Sequence, residues 1–279
     1  MKTVTTLEEL HAAQRNLARP LGLVPTMGYL HQGHLSLAQA ARSECANVAA
    51  SIFVNPSQFG PNEDLTSYPR DLERDLKLLE QAGVDLVWTP TVEQMYPPGF
   101  QTWVTVEEIS KPLEGAMRPG HFRGVTTVVA KLFNAVQPDK AYFGQKDAQQ
   151  AAVIRQMVQD LSYNVQIVVC PIVREADGLA MSSRNVYLNP AERMAATVLY
   201  HSLSAAKQAY ADGERQAEKL RQIVRQNIEA EPLAKLQYIS CANSLNLREI
   251  QDEIQGQALL SMAVFFGKTR LIDNMLIGD

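Results

Sequence analysis

The sequence predicts an α/β fold: a Rossmann-like parallel sheet with helices on both faces, followed by a smaller α+β C-terminal domain. Three observations carry this. Through residue 174, short apolar runs alternate with longer stretches of helical periodicity, the order of parallel strands covered on both sides. A glycine-containing turn joins the first strongly apolar run to a helical stretch. After Arg174 the alternation stops and the chain becomes more mixed. The expected domains are 1–174 and 175–279.

Residues 21–25 read as a buried strand and 35–45 as the helix after it. Residues 48–54 form the next strand. Residues 69–82 carry Leu72, Leu76 and Leu79 at helical spacing with charges between them, an amphipathic helix. Strand 84–88, helix 122–136, strand 140–143, helix 148–160 and strand 165–170 complete the first domain. Ligands of such sheets bind at the carboxyl ends of the strands. In the second domain, Glu175-Ala176-Asp177-Gly178 reads as a turn and 190–230 as helical, broken near Asp212-Gly213. Residues 236–241 and 259–266 read as strands. No internal repeat is evident.

Composition narrows the function classes. The chain has 279 residues, 46% of them hydrophobic and 20% charged, which argues against disorder. A formal net charge of −4 lacks the basic field of a nucleic-acid binder. Cys45, Cys170 and Cys241 are far apart with no CxxC spacing, which argues against a disulfide framework or a zinc-thiolate site. The first residues have no apolar signal core, and no apolar run approaches the roughly 20 residues that span a bilayer. A soluble, cytoplasmic protein without nucleic-acid or membrane partners is the expectation.

Four clusters carry chemistry. His31-Gln32-Gly33-His34 lies between a strand and a helix start. Free backbone N–H groups and the helix dipole there attract an anion, and two imidazoles suit nucleotide phosphates. A zinc reading lacks the glutamate of HExxH and a third ligand, so no protein metal site is expected. Gly144-Gln145-Lys146-Asp147 follows a strand: Gly144 admits a ligand to the backbone, Lys146 supplies a point charge, and Asp147 caps a helix or accepts from a ribose hydroxyl. Met181-Ser182-Ser183-Arg184-Asn185 places two hydroxyls and a guanidinium in a row, a set that fits phosphate oxygens. Asn55 and Gln58, with Gln150 one turn after Lys146, are neutral amides suited to hydroxyls and a carboxylate. Taken singly, each cluster also fits a solvated turn or a helix cap.

The HxGH turn resembles the signature of the nucleotidylyl-transferring α/β superfamily, and Met181–Asn185 resembles its KMSKS-type loop with Arg184 in place of the final Lys-Ser. Further blocks extend the likeness: residues 25–34, 55–58, Tyr68-Pro69-Arg70, 118–124, 143–147, 181–185 and 267–274 resemble the pantothenate synthetase family in order along nearly the whole chain. Tyr29 stands where the family usually has a smaller residue, Gln145 where it often has Glu, and 236–247 departs from its usual acidic pattern. The resemblance implies ATP-dependent condensation of pantoate with β-alanine to pantothenate through a pantoyl adenylate, releasing pyrophosphate and AMP. It implies that His31, His34 and Lys146 contact phosphates, with His34 the leading catalytic candidate. Ser182, Ser183 and Arg184 would hold the β and γ phosphates. Met27, Gly28, Tyr29, Leu30, Gln32, Gly33, Gly144, Gln145, Asp147, Val173 and Met181 would lie along ATP. Gln58 and Gln150 would hold pantoate, with Asn55 and Arg123 nearby. Domain 1–174 would bind nucleotide and pantoate, and 175–279 would act as a lid. Mg²⁺ is expected to travel with ATP, and a homodimer is implied. Another adenylyltransferase of the superfamily, or a non-enzymatic nucleotide-binding protein, is the alternative.

Overall fold

The structure, a computed structural model, describes residues 1–61 and 63–278. The first unit runs β1 (Lys2–Val4), α1 (Leu7–Gln14), β2 (Leu21–Thr26), α2 (Gln32–Glu44), β3 (Asn47–Ile52), α3 (Leu72–Gln81), β4 (Leu86–Trp88), α4 (Val92–Met95), α5 (Glu114–Met117), α6 (His121–Val136), β5 (Lys140–Gly144), α7 (Ala148–Asp160) and β6 (Gln166–Cys170). Its six strands are parallel, in the order β1-β4-β3-β2-β5-β6. The chain leaves β2 toward β3 on one side and returns to β5 on the other. The β2–β5 pair is thus the point where strand order reverses, the place where open α/β sheets take ligands.

Strand alternation builds a core on each face. Leu21, Leu23, Ala49, Leu86, Trp88, Ala141 and Phe143 pack with residues of α1, α6 and α7, among them Leu10, Val129, Phe133 and Ile154. Val24, Val48, Ala50, Val87 and Tyr142 pack with Leu37 and Ala41 of α2 and Leu79 of α3. Each fully buried Leu or Phe of this kind stabilises by roughly 1.5–3 kcal/mol relative to exposure. Gly22 lets α2 lie close on β2, for a Cβ there would sit 3.1 Å from Cys45 Sγ and 3.2 Å from Ala41 Cβ.

The second unit carries α8 (Pro190–Ala195), α9 (Val198–Ala211), α10 (Ala217–Glu229), β7 (Ala234–Asn243), β8 (Ala258–Phe266) and β9 (Thr269–Ile277). The three strands form an antiparallel sheet in the order β7-β8-β9. Leu199, Leu203 and Ala206 of α9 and Leu220, Val224 and Ile228 of α10 cover Leu260, Met262, Val264 and Leu271. Spacings of three and four residues put each helical set on one face.

Several bounds differ from the sequence reading. α2 starts at Gln32, three residues before 35, because His31 caps it. β3 ends at Ile52 and not at 54, and β4 starts at Leu86 and not at 84. α3 starts after Asp71, whose carboxylate accepts from Arg74 N, and not at 69. β1, α1 and β9 were outside the reading. β1 is only three residues long, and β9 interrupts its apolar residues with Arg270, Asp273 and Asn274. The compact units divide after Pro171, three residues before the expected boundary, and Lys146–Ala148 groups with the second unit.

Candidate active site

In the first unit the site is built on the turn after β2. Thr26 Oγ1 donates to Ser51 O at 2.8 Å and accepts from Gly28 N at 3.3 Å. Gly28 (φ 83°) and Tyr29 (φ 49°) are both left-handed and reverse the chain. A Cβ at Gly28 would lie 3.0 Å from Asp75 Oδ2 and 3.1 Å from Ile52 Cγ2, so glycine fits on both counts. Asp75 of α3 is 1% exposed. Its carboxylate accepts from Tyr29 N at 2.6 Å and Leu30 N at 2.8 Å. Burial pushes this carboxyl above the ordinary range, against the two backbone donors and the Arg74 charge, which favour the ionised form. Arg74 adds a bond from Nη2 to Leu30 O at 2.9 Å and lies over the Tyr29 ring.

That clamp delivers His31 to the N-cap of α2. Gly33 N donates to His31 Nδ1 at 3.1 Å, and His31 N donates to His34 Nδ1 at 3.3 Å. The two imidazoles thus replace the hydroxyl and carboxylate of an ordinary capping box, with ring centroids 4.1 Å apart. A backbone N–H can only donate, so each Nδ1 is an acceptor. In the neutral ring the proton then resides on Nε2.

The turn after β3 is the second part of the same unit. Asn55 is buried and its amide is spent on the protein. Oδ1 accepts from Ser57 Oγ at 2.9 Å and Tyr96 OH at 2.8 Å, and Nδ2 donates to Gly124 O at 3.1 Å and Gln58 Oε1 at 3.2 Å. Asn55 therefore shapes the turn and holds Gln58. Gln58 Nε2 donates to the Met27 thioether at 3.1 Å, a weak acceptor, and this contact joins the turn to the residues after β2. Gly124 allows α6 to approach, since a Cβ there would fall 2.5 Å from Ser57 O. Gln150, on α7, is half-buried and makes no side-chain hydrogen bond among the described residues. Its neighbour Gln149 is buried and committed to Glu114 N, Ile109 O and Pro112 O. Arg123 is exposed and stacks 4.8 Å over the Trp103 ring; among the described residues no hydrogen bond joins it to Gln58. Gly144 ends β5, and Gln145 begins a 3-10 turn, Gln145–Asp147.

In the second unit, Lys146 Nζ lies 3.9 Å from Asp147 Oδ1, and Asn274 Nδ2 of β9 donates to Lys146 O at 2.9 Å. Residues 173–187 form a looped segment, with Met181 N donating to Val173 O at 3.0 Å and an antiparallel bridge between Arg174 and Ala180. Ser182 caps the 3-10 helix Ser183–Tyr187 by accepting from Arg184 N at 3.3 Å. Ion pairs hold the loop. Arg174 meets buried Asp273 through two bonds of 2.7 and 2.9 Å and donates to Gly178 O. Arg193 bonds Glu175 and Asp177, each at 2.7 Å, and its guanidinium holds the Asp177 carboxyl below the usual range.

Comparison with known proteins decides the family. The model of the family described as pantoate-beta-alanine ligase matches residues 1–276. The chain belongs to the pantoate-beta-alanine ligase family. It is 61% identical over 277 residues to the pantothenate synthetase of Chloroflexus aurantiacus, covering 99% of this chain and 98% of that protein. Identity to the Herpetosiphon aurantiacus enzyme is 59%, covering 99% and 100%. The pantothenate synthetase structure from Thermus thermophilus superposes with a TM-score of 0.94 at 49% identity, covering 99% of both chains. The Francisella tularensis pantoate-beta-alanine ligase, complexed with beta-gamma ATP and beta-alanine, gives 0.80 at 36% identity, covering 99% and 97%. As a member of the ligase family, the chain is an enzyme of pantothenate biosynthesis.

Sequence reasoning missed the residues that shape these candidate segments: Asp75, Tyr96, Arg118 and His121 in the first unit, and Asp273 and Asn274 in the second. Four of them stand in blocks that carry the family resemblance, namely Arg118 and His121 in 118–124 and Asp273 and Asn274 in 267–274, yet nothing in their spacing told of their partners. Asp75 carried one signal, an acid among the leucines of α3, and that signal is weak.

Proposed function

We propose that the chain joins pantoate to β-alanine at the expense of ATP in two steps, with the His31–His34 pair and the Gln58 and Gln150 amides as the contribution of the first unit and Lys146 and the Ser182–Arg184 loop as that of the second. The carboxylate oxygen of pantoate attacks the α-phosphorus; the new O–P bond forms as the bond to pyrophosphate breaks. The β-alanine amine then attacks the carbonyl of the pantoyl adenylate, loses a proton, and AMP leaves. No protein nucleophile is needed, so the protein contributes positioning and charge stabilisation.

The observation that carries this reading is the double imidazole cap of α2. The helix N-terminus and two Nε2 donors favour negative charge at one spot. Pantoate and ATP are both anionic and repel one another, and Lys146 and Arg184 offset that repulsion. Met27, Gly28, Tyr29, Leu30, Gln32, Gly33, Gly144, Gln145, Asp147, Val173 and Met181 are proposed to line the nucleotide. Gln58 and Gln150 are proposed to bind pantoate, with Arg123 a weaker member because it is already stacked on Trp103. The neutrality of the amide set favours a carboxylate substrate over a phosphorylated one.

Among the described residues no group of three or more His, Cys, Asp or Glu is gathered as a metal cage. Mg²⁺ is therefore proposed to enter on the ATP phosphates, keeping its waters. Residues 175–279 are proposed to act as a lid that shields the adenylate, so Arg184→Ala should release AMP without pantothenate. A homodimer, to be checked by sedimentation, and a cytoplasmic location complete the proposal. All three cysteines are free and buried, in keeping with a reducing compartment.

The test is a single-turnover assay with ATP and pantoate but no β-alanine. Pyrophosphate should appear in a burst stoichiometric with enzyme. Release that waits for β-alanine would replace the two-step order with a concerted one.

A further inference from the structure

Gln58 is held at both ends. Its side chain is set by Asn55 and Met27, while its backbone carbonyl ends a chain of polar groups that runs from half-buried Glu63 and Arg118 through a buried histidine. Glu63 pairs with Arg118 through two bonds, Nε to Oε1 at 2.7 Å and Nη2 to Oε2 at 2.6 Å. Arg118 Nη1 meets His121 Nε2 at 3.1 Å, and His121 Nδ1 meets Gln58 O at 2.8 Å. A guanidinium has no acceptor and a carbonyl no donor. The imidazole therefore accepts at Nε2 and donates from Nδ1, a single tautomer set from outside the ring. The ring is 8% exposed, and burial and the neighbouring Arg118 charge lower its pKa to about 4, so it stays neutral.

We infer that His121 is a positioning residue for pantoate: the Glu63–Arg118–His121 relay fixes the Gln58 carbonyl and thereby the direction of the Gln58 amide. This rests on the reading above that Gln58 holds pantoate. It assigns no contact between His121 and substrate. The backbone at Gln58 is otherwise loosely tied, for the 3-10 turn Pro56–Gln58 has three residues and its own bond from Gln58 N to Asn55 O is 3.4 Å long. Losing the His121 donor leaves the carbonyl with the long 3.5 Å bond from Arg118 Nη2, a weaker hold, while the Asn55 contact remains. The amide then samples directions that do not meet the substrate, which weakens pantoate binding and leaves ATP binding unaffected.

Steady-state kinetics of three variants test this. His121→Phe keeps a ring and removes both bonds; Arg118→Met keeps the imidazole and removes the group that sets its tautomer. Each should raise the KM for pantoate on the order of tenfold, the scale of one lost hydrogen bond, with the KM for ATP within about twofold. His121→Asn, whose amide can donate to Gln58 O, should recover most of the pantoate KM. In the unaltered protein, imidazole nitrogen shifts should report the Nδ1–H tautomer. An Nε2–H tautomer, an unchanged pantoate KM in whichever variant folds, or an equal rise in both KM values would overturn the assignment. Gln58→Ala separates the two readings. If it too leaves the pantoate KM unchanged, the pantoate site itself is misassigned; if it alone raises that KM, only the role of His121 falls.

Discussion

The turn after β2 and the loop 173–187 are both proposed to meet phosphates, yet they are built in opposite ways. The first is backbone-built: a left-handed pair, Gly28-Tyr29, leads into the N-terminus of a 13-residue helix. One buried carboxylate, Asp75, holds two of its N–H groups. The second has a five-residue 3-10 helix in place of a long one and is fastened by side-chain ion pairs, Arg174–Asp273 and Arg193 with Glu175 and Asp177. Donors fixed by a helix stay put without a ligand, and they suit the centre where charge develops. A loop pinned by ion pairs has fewer backbone constraints, and it suits the gripping of distal phosphates.

The comparison breaks most visibly at the second loop's anchor. Asp273→Ala leaves the half-buried Arg174 charge without its carboxylate and should lower unfolding stability by about 2–4 kcal/mol, read by chemical denaturation of the protein. A loss below about 1 kcal/mol would mean the loop is not held by this pair. At the first turn, His34→Ala should slow adenylate formation by roughly 100- to 1,000-fold, the effect of one lost preorganised donor, with the circular dichroism spectrum unchanged. Near-normal pyrophosphate release would move the chemistry elsewhere.

Asp75→Asn sharpens the contrast, because it keeps one acceptor for the turn and puts a donor where the other was. It should cost about 1–3 kcal/mol of stability and raise the KM for ATP. If stability falls without any change in that KM, the clamp is structural only. The smallest effect concerns pH. The folded-state pKa of His121 is near 4, below the ordinary 6.5, so the unfolded chain binds the proton first as pH falls. Arg118 opposes protonation, while Glu63 and Glu114 favour it. Stability is full above about pH 6.5 and should drop by about 2 kcal/mol between pH 6.5 and 5, before most carboxylates titrate. A His121→Asn protein should lack that early slope in denaturation curves; an identical slope would show that another group is responsible.

Much of this was legible along the chain. The bounds of α7 were met to the residue, and those of α6 and β5 to within one, because long apolar periodicity survives any tertiary context. His31 and His34 stand at the start of α2, and Gly144 and Lys146 at and just after the end of β5, the strand-to-helix junctions where the sequence places them. Asn55 shows the limit. As a residue type it suits a substrate hydroxyl, yet its amide is bonded to Ser57, Tyr96, Gly124 and Gln58. β9 was illegible because Asp273 breaks its apolar face; burial of that carboxylate is made tolerable by the Arg174 guanidinium, 99 residues away, together with the Asn274 N–H.

By itself the sequence determined the period of most strands and helices, the position of the HxGH turn before a helix and the neutrality of the Asn55–Gln58 stretch. Those properties belong to the local backbone and to side-chain chemistry, which neighbours in the chain suffice to express. Only the tertiary structure decided which polar groups are committed to the protein itself. It committed Asn55 and Gln149 to the backbone, stacked Arg123 on Trp103, and tied Gln58 to Glu63 through Arg118 and His121. A buried hydrogen-bonding group must find a partner wherever the fold brings one, and no spacing along the chain records where that is.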